Sequence, residues 1–310
     1  MSLYFTSPIP HKTVWGGKTL RTFFQFPDSF GDDIGQAWAF SAQPGKSSPI
    51  HGGDYDGRTL LDLWNEKPEI FQSRYDVFPF IVSLVAPEDD LSIQVHPDDE
   101  YAKALGYPSG KNEAWVFLWS IPGNSIVYGH NAQNEVELQG YISKKQWQHL
   151  VRKLPVTTGD TVYIPAGTLH ALSKNNIVYE IQQATDITYR FYDYDRKDKD
   201  GKSRPLQLDQ AIQCLHYENV PERISPIPVV TRGHGYWETI CVNNDSFVVR
   251  RLQCDGESIL CFSGYQLVTV VDGEGSVNGH PLQRGVSFLL PANETIKIRG
   301  TVTFMTTAEL

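Results

Sequence analysis

The chain has no apolar run approaching the roughly 20 residues that a membrane-spanning helix needs, so no membrane is expected among its partners. Cysteine is scarce. The four present, Cys214, Cys241, Cys254 and Cys261, all lie in the last third, and none is spaced as CxxC. That argues against a disulfide framework or a zinc knot and reads as reduced thiols in a cytoplasmic protein. Positive charge is in deficit, with 27 Lys and Arg against 36 Asp and Glu and a net charge of −9. A phosphate-backbone binder needs a basic footprint, so no nucleic acid is expected as a partner. A small anion held by a few local cations stays open. The opening stretch, MSLYFTSPIPHKTVWGG, has no basic segment leading into an apolar run and is not expected to act as a secretory signal. What is present is an ordinary globular composition, 40% hydrophobic and 20% charged over 310 residues, enough for one large core or two smaller ones.

Short strands parted by Gly and Pro turns dominate the pattern. Phe78–Val85 reads as a buried strand. Ala114–Trp119 and Ser125–Tyr128 read as strands across an Ile-Pro-Gly-Asn turn, and Thr161–Ile164, Ile177–Gln183 and Thr188–Tyr192 follow. Helix signals are few. Leu60–Trp64 predicts a short helix, and Asp98 and Asp99 after Pro97 open another, with acidic charge facing the dipole. Ser143 predicts the cap of a helix carrying Trp147, Leu150 and Val151, within a helical insertion near 131–155. Residues 193–205, DYDRKDKDGKSRP, read as a charged loop. Many short strands with few helices indicate an all-β sandwich or barrel.

The chemistry gathers around LSIQVHP at residues 91–97. Alternation along a strand puts Ser92, Gln94 and His96 on one face and Leu91, Ile93 and Val95 on the other. Pro97 then ends the strand, since it has no N–H for the ladder. Lys111 and Glu113, two apart, lead into the apolar run Ala114–Leu118, and the loop Pro165–Leu169 ends at His170. Gln94, His96, Glu113 and His170 together offer nitrogen and oxygen donors that suit Zn²⁺ and equally Mn²⁺, Fe²⁺ or Co²⁺. Three or four protein donors leave a position for water or substrate, as a catalytic metal site requires, and the lack of cysteine donors argues against a structural zinc. The alternative reading of His96 is a hydrogen-bonded core or surface histidine.

The last third repeats the design. Gly159–Ala166 matches Gly285–Ala292 at an offset of 126, and Val127–His130 matches Val277–His280 at an offset of 150. The insertion after His130 accounts for the difference. By these offsets His170 falls on Ile296 and Glu113 on Ser263, so a metal site belongs to the first copy alone.

Six stretches run in order over residues 14–196: VWGGKTL, LSIQVHPDD, GKNEAWVFL, VYGH, TGDTVYIPAGTLHAL and EIQQATDITYRFYDYDR. On these the chain resembles the type I mannose-6-phosphate isomerases (phosphomannose isomerases), in their short bacterial form within the cupin superfamily. The resemblance implies a mainly β chain with two jelly-roll (cupin) barrels. A catalytic metal-binding domain over about residues 1–230 includes the insertion. A second cupin-like domain over about 231–310 lacks metal ligands. The boundary is expected at Pro221, Pro226, Pro228 and a Gly233–Gly235 turn. The resemblance further implies His96, Glu113 and His170 as ligands of one Zn²⁺ per chain, with Gln94 at the position of a fourth ligand that some short members replace by lysine. Arg190 falls on the family's catalytic arginine and Lys111 on the lysine just before the ligand glutamate. Asn112 stands where threonine or proline is common. The implied partner is a sugar phosphate, and the implied assembly a monomer or homodimer.

Interconverting an aldose and a ketose phosphate moves a proton between carbons 1 and 2 through an enediol. It needs a base, stabilisation of charge at oxygen and a clamp on phosphate. Arg190 can stabilise the enediolate or hold phosphate; its alternative is a salt bridge to Asp193 or Asp195. Lys111, desolvated beside a cation, and Glu180, on a strand near the site, are the two candidate bases, and Glu180 can instead orient a histidine. His51, His130 and His149 read as structural or surface residues. Two other classes compete. An iron-dependent cupin oxygenase more often clusters two histidines and a glutamate in one short motif, and a sugar-sensing cupin would lack ligands in both barrels. The order Gln-x-His, Glu, His, with Lys111 and Arg190 as anion partners, favours the isomerase.

Overall fold

The computed structural model describes residues 3–217, 227–232 and 235–310. Pro221, Pro226 and Gly233, around which the domain boundary is expected, lie outside the described residues. The chain is mainly β, and the strands among the described residues form three sheets. A seven-stranded sheet runs in the order Thr161–Ile164, Glu113–Ser120, Asn176–Gln183, Phe80–Val85, Ile34–Gln43 and Ile9–Gly17, with Lys46–Ser47 paired on Ile34–Gln43. A five-stranded sheet runs Val151–Pro155, Ser125–His130, His170–Ala171, Ile93–Val95 and Tyr189–Tyr192.

Trp15, Val85, Trp115, Phe117, Ile126, Tyr128, Val162 and Val178 form the core shared by these two sheets. Strand alternation decides who joins it. Trp115 and Phe117 point in, whereas Ala114 and Val116 point the other way. There they join a second apolar layer with Phe40, Phe80 and Tyr179 and with Phe247, Leu267 and Met305 from the C-terminal region. Phe80–Val85 is buried at every position, as a strand covered on both faces must be.

The C-terminal region forms most of a nine-stranded sheet centred on Val248–Cys261, Thr295–Ala308 and Gln266–Val277. The N-terminal strand Tyr4–Thr6 also belongs to it, pairing with Ser287–Leu290 on one side and Ile50–His51 on the other. Thr161–Ile164 and Ser287–Leu290, matched in sequence, are both strands, each entered through a turn glycine at positive φ (Gly159 at 94°, Gly285 at 91°).

Helix starts follow local chemistry. Thr59 and Asp62 make a capping box for Leu60–Glu66, and Asp98 caps Asp99–Ala104. The insertion departs from expectation. Ser143 does not cap a helix; it ends one, Glu135–Ser143. Asn134 supplies the cap, its Oδ1 accepting from the Glu137 N–H at 3.0 Å ahead of an acidic first turn. Lys145 then takes a left-handed conformation (φ 52°), Trp147–Leu150 makes one turn, and Val151 begins a strand. Leu138 and Leu150 of the insertion and Ala211 of the helix Leu208–Cys214 pack with Ile93, Val127 and Leu169 from the five-stranded sheet side. No helix among the described residues is long and apolar enough to cross a membrane.

Candidate metal centre

The strand Ile93–Val95 stops before Pro97 and leaves His96 at its end. The loop before His170 turns through Gly167 (φ 82°), whose N–H donates to the His96 carbonyl at 2.8 Å and draws the two histidines together. His170 lies directly opposite Gln94, and Gln94 directly opposite Arg190. Opposed residues share a face of a sheet, so these three side chains form one row on one face. In the seven-stranded sheet Glu113 opposes Gln182 and Trp115 opposes Glu180, again on one face.

His96, Glu113 and His170 each aim one donor atom at a common point, all within 4.8 Å of one another. All three are at most 1% exposed. His96 Nε2 lies 3.4 Å from Glu113 Oε2, and His170 Nε2 lies 3.1 Å from Glu113 Oε1. Each imidazole is oriented from behind. His96 Nδ1–H donates to the Ile187 carbonyl at 2.8 Å and His170 Nδ1–H to the Thr168 carbonyl at 2.9 Å. That fixes the tautomer and leaves both Nε2 lone pairs facing Glu113. Neither carboxylate oxygen of Glu113 has a hydrogen-bond donor, and both are sealed from solvent. Lys111 Nζ stands 3.1 Å from both His96 Nε2 and Glu113 Oε2, the latter an ion pair without hydrogen-bond alignment. Two imidazole lone pairs and an orphaned buried carboxylate converging on one point fit a divalent metal, which satisfies all three at once. The Gln94 amide is 3.5 Å from His170 Nε2, at the edge of the same point. Among the described residues no other group of three His, Cys, Asp or Glu converges in this way.

The electrostatics agree with ligation. Burial, then the charge of Lys111, push His96 down to about 3, so its ring is neutral as a ligand must be. Burial alone would raise Glu113; the Lys111 charge beside it is the chief influence that holds the carboxyl well below its usual range. Glu180 goes the other way. Burial, then repulsion from Glu113, push it up to about 7. Its oxygens accept from Trp115 Nε1 at 2.8 Å and Gln36 Nε2 at 3.1 Å.

Arg190 does not make the alternative salt bridge. Asp193 is taken by Arg196 and Arg204, and no carboxylate among the described residues lies within ion-pair distance of Arg190. Its Nη1 donates instead to the Pro205 carbonyl at 2.9 Å, and its Nε is buried without a partner. His130 Nε2 meets the His216 carbonyl at 3.2 Å, His51 pairs with Ser7, and His149 is exposed; none joins the centre. The sequence reading missed Trp115 and Gln36. Trp115 carries the same signal that marked Glu113, two positions on along one strand face. Gln36 has only the weaker signal of a polar residue inside the run Gly35–Phe40.

Residues 5–115 match the family model of the phosphomannose isomerase type I catalytic domain. The chain is 36% identical to a mannose-6-phosphate isomerase of Streptococcus mutans, covering 93% of this chain and 91% of the relative. It is 35% identical to mannose-6-phosphate isomerase ManA of Bacillus subtilis, over 93% and 92%. The crystal structure of a mannose 6-phosphate isomerase from Bacillus subtilis superposes with a TM-score of 0.92 at 34% identity, over 99% of each chain. A putative mannosephosphate isomerase from Archaeoglobus fulgidus shares the fold at 18% identity, with a TM-score of 0.78 over 100% of this chain and 99% of that one. Relatives this similar over nearly their whole length show that the chain belongs to the type I mannose-6-phosphate isomerase family.

Proposed function

We propose that the chain interconverts mannose 6-phosphate and fructose 6-phosphate through an enediol. One Zn²⁺ is held by His96, Glu113 and His170, with Gln94 as a fourth donor. The observation that carries this reading is the buried trio with its orphaned Glu113 carboxylate, set in a chain whose relatives bear that isomerase's name. The bound ion supplies Lewis acidity at the sugar oxygens. The chain's own residues do the rest. Glu180, poised near neutral pH, moves the proton between carbons 1 and 2. Lys111, fastened between His96 and Glu113, adds positive charge beside the developing enediolate and is less free to act as the base. Arg190, which has no counter-ion among the described residues, meets the substrate's phosphate or the enediolate oxygen with its remaining N–H groups. The buried Trp115 packs edge-on against His170, with ring centres 5.6 Å apart, and helps keep water from the reacting carbons.

In this reading the region over about 1–230 does the chemistry, and the region over about 231–310 braces it. The free cysteines support a reduced, cytoplasmic setting. The test is a coupled isomerase assay on mannose 6-phosphate, before and after a chelator, with Zn²⁺ added back. Activity that the chelator removes and zinc restores is expected; a zinc-loaded protein without activity sinks the reading.

A further inference from the structure

We infer that Asp193 is a positioning residue for Arg190: by gathering Arg196 and Arg204 it fixes the Arg190 guanidinium and leaves it without a counter-ion among the described residues, ready for the substrate's anion. This rests on the isomerase reading above.

Asp193 is only 5% exposed. Its Oδ2 accepts from Arg204 Nε at 2.8 Å, and its Oδ1 accepts from Arg204 Nη2 at 2.6 Å and from Arg196 Nη2 at 2.8 Å. The Arg204 contact is a two-pronged fork, the geometry in which an arginine is held most firmly. Arg196 is tied further, to Asp89 at 3.1 Å and to the Asp90 carbonyl at 2.7 Å. Between Asp193 and Arg196 the backbone passes through Tyr194 (φ 58°) and Asp195 (φ 54°), two consecutive side-chain-bearing residues in the left-handed region. Such a turn persists only where its surroundings hold it, and the Asp193–Arg196 pair spans it.

The path from Asp193 to Arg190 is a run of direct contacts. Arg204 is followed by Pro205, whose carbonyl accepts from Arg190 Nη1 at 2.9 Å. Gln207 then locks the Arg190 backbone on both sides. Its Oε1 accepts from the Arg190 N–H at 3.0 Å, and its own N–H donates to the Arg190 carbonyl at 2.9 Å. Arg196 and Arg204 are also the cations nearest Arg190 in effect, so releasing them from Asp193 both frees the loop and adds repulsion.

The test is a double-mutant cycle. Asp193→Asn, Arg190→Ala and the double variant are compared for kcat and KM on mannose 6-phosphate, with zinc content measured alongside. Asp193→Asn is expected to lower kcat roughly 10- to 100-fold, the scale of a misplaced catalytic group. Zinc content stays unchanged, and the same change causes no further loss once Arg190 is alanine. Asp193→Glu, which can re-form the pairs, recovers part of the rate. A wild-type kcat in Asp193→Asn, or a loss that persists in full without Arg190, overturns the inference. A wild-type rate in Arg190→Ala is a different failure: the role of Arg190 in the proposed reaction goes first, and the inference with it. If Asp193→Asn does not fold, Arg204→Lys keeps the charge, loses the fork and runs the same cycle with the same outcomes.

Discussion

The facing pair of sheets and the C-terminal sheet are built from similar parts, and their interiors differ. Both use a positive-φ glycine, a four-residue strand and a proline-ended turn, at Gly159–Pro165 and Gly285–Pro291. Inside the first, His96, Glu113, His170, Glu180 and Gln182 are buried among apolar side chains. In the C-terminal sheet Leu252, Leu260, Val268, Val277, Phe288, Ile296, Ile298 and Phe304 form an apolar cluster, and the buried polar residues of that region, such as Ser258, Gln266, Thr269 and Thr306, are all uncharged. Ile296, the counterpart of His170 by offset, packs there at 1% exposure. Ser263, the counterpart of Glu113, lies in the connection between Cys261 and Gln266. The contrast is one of charge: the described C-terminal residues bury no His, Asp, Glu, Lys or Arg, whereas the first interior buries several. Burying a carboxylate with no hydrogen-bond donor costs several kcal/mol, which for Glu113 the ion pair with Lys111 at 3.1 Å offsets in part. The C-terminal sheet packs against the seven-stranded one. Thr307 hydrogen-bonds the buried Tyr179 hydroxyl at 2.8 Å, on the residue next to Glu180.

Four experiments break or sharpen this contrast. The largest effect belongs to the ligands. His96→Ala or His170→Ala is expected to abolish both bound zinc and turnover while the circular dichroism spectrum stays native-like; full activity in either removes it from the centre. Next is a C-terminal core position. Phe304→Ala, at a fully buried site, is expected to cost about 3–5 kcal/mol in urea unfolding yet leave kcat and zinc content of the folded protein unchanged. A drop in kcat at constant zinc would mean the two regions are not separable in function. Arg190→Ala is expected to keep zinc and lose about 10²–10³-fold in kcat, and an unaltered rate returns Arg190 to a structural part.

The smallest effect is read as pH dependence. Glu180 is raised from 4.5 to about 7 by burial and then by the Glu113 charge. Between those values the metal-free folded chain keeps a proton that the unfolded chain has released. The resulting stability is fully present below about pH 4.5 and is lost as pH rises through 7, a change of roughly 3 kcal/mol. Glu180→Gln cannot release that proton, so denaturation of chelated samples should show the variant gaining on the wild type across this window. A difference that does not vary with pH contradicts the shift.

Much of the centre was legible in the sequence because its signals are local. Period-two alternation placed Gln94 and His96 on one face, Pro97 marked the strand end, and the same rule read Lys111 and Glu113 together. What escaped depends on distant pairing. Gln36 reaches Glu180 only because Ile34–Gln43 and Asn176–Gln183 flank the same strand, Phe80–Val85. The partner of Arg190 was sought among nearby acids, but the left-handed turn at Tyr194 and Asp195 directs Asp193 to Arg196 and Arg204 instead. The insertion helix was misplaced because Ser143 and Asn134 are both good caps. Only the acidic turn after Asn134 tells them apart. The pairing of Tyr4–Thr6 with Ser287–Leu290, at the far end of the chain, carries no local signal at all.

The most direct test of the metal centre as the seat of the reaction is a titration of metal-free protein with Zn²⁺, with turnover of mannose 6-phosphate measured at each addition. Turnover should rise linearly from zero and level off at one equivalent per chain. Full turnover before any metal is added, or none at the plateau, contradicts it.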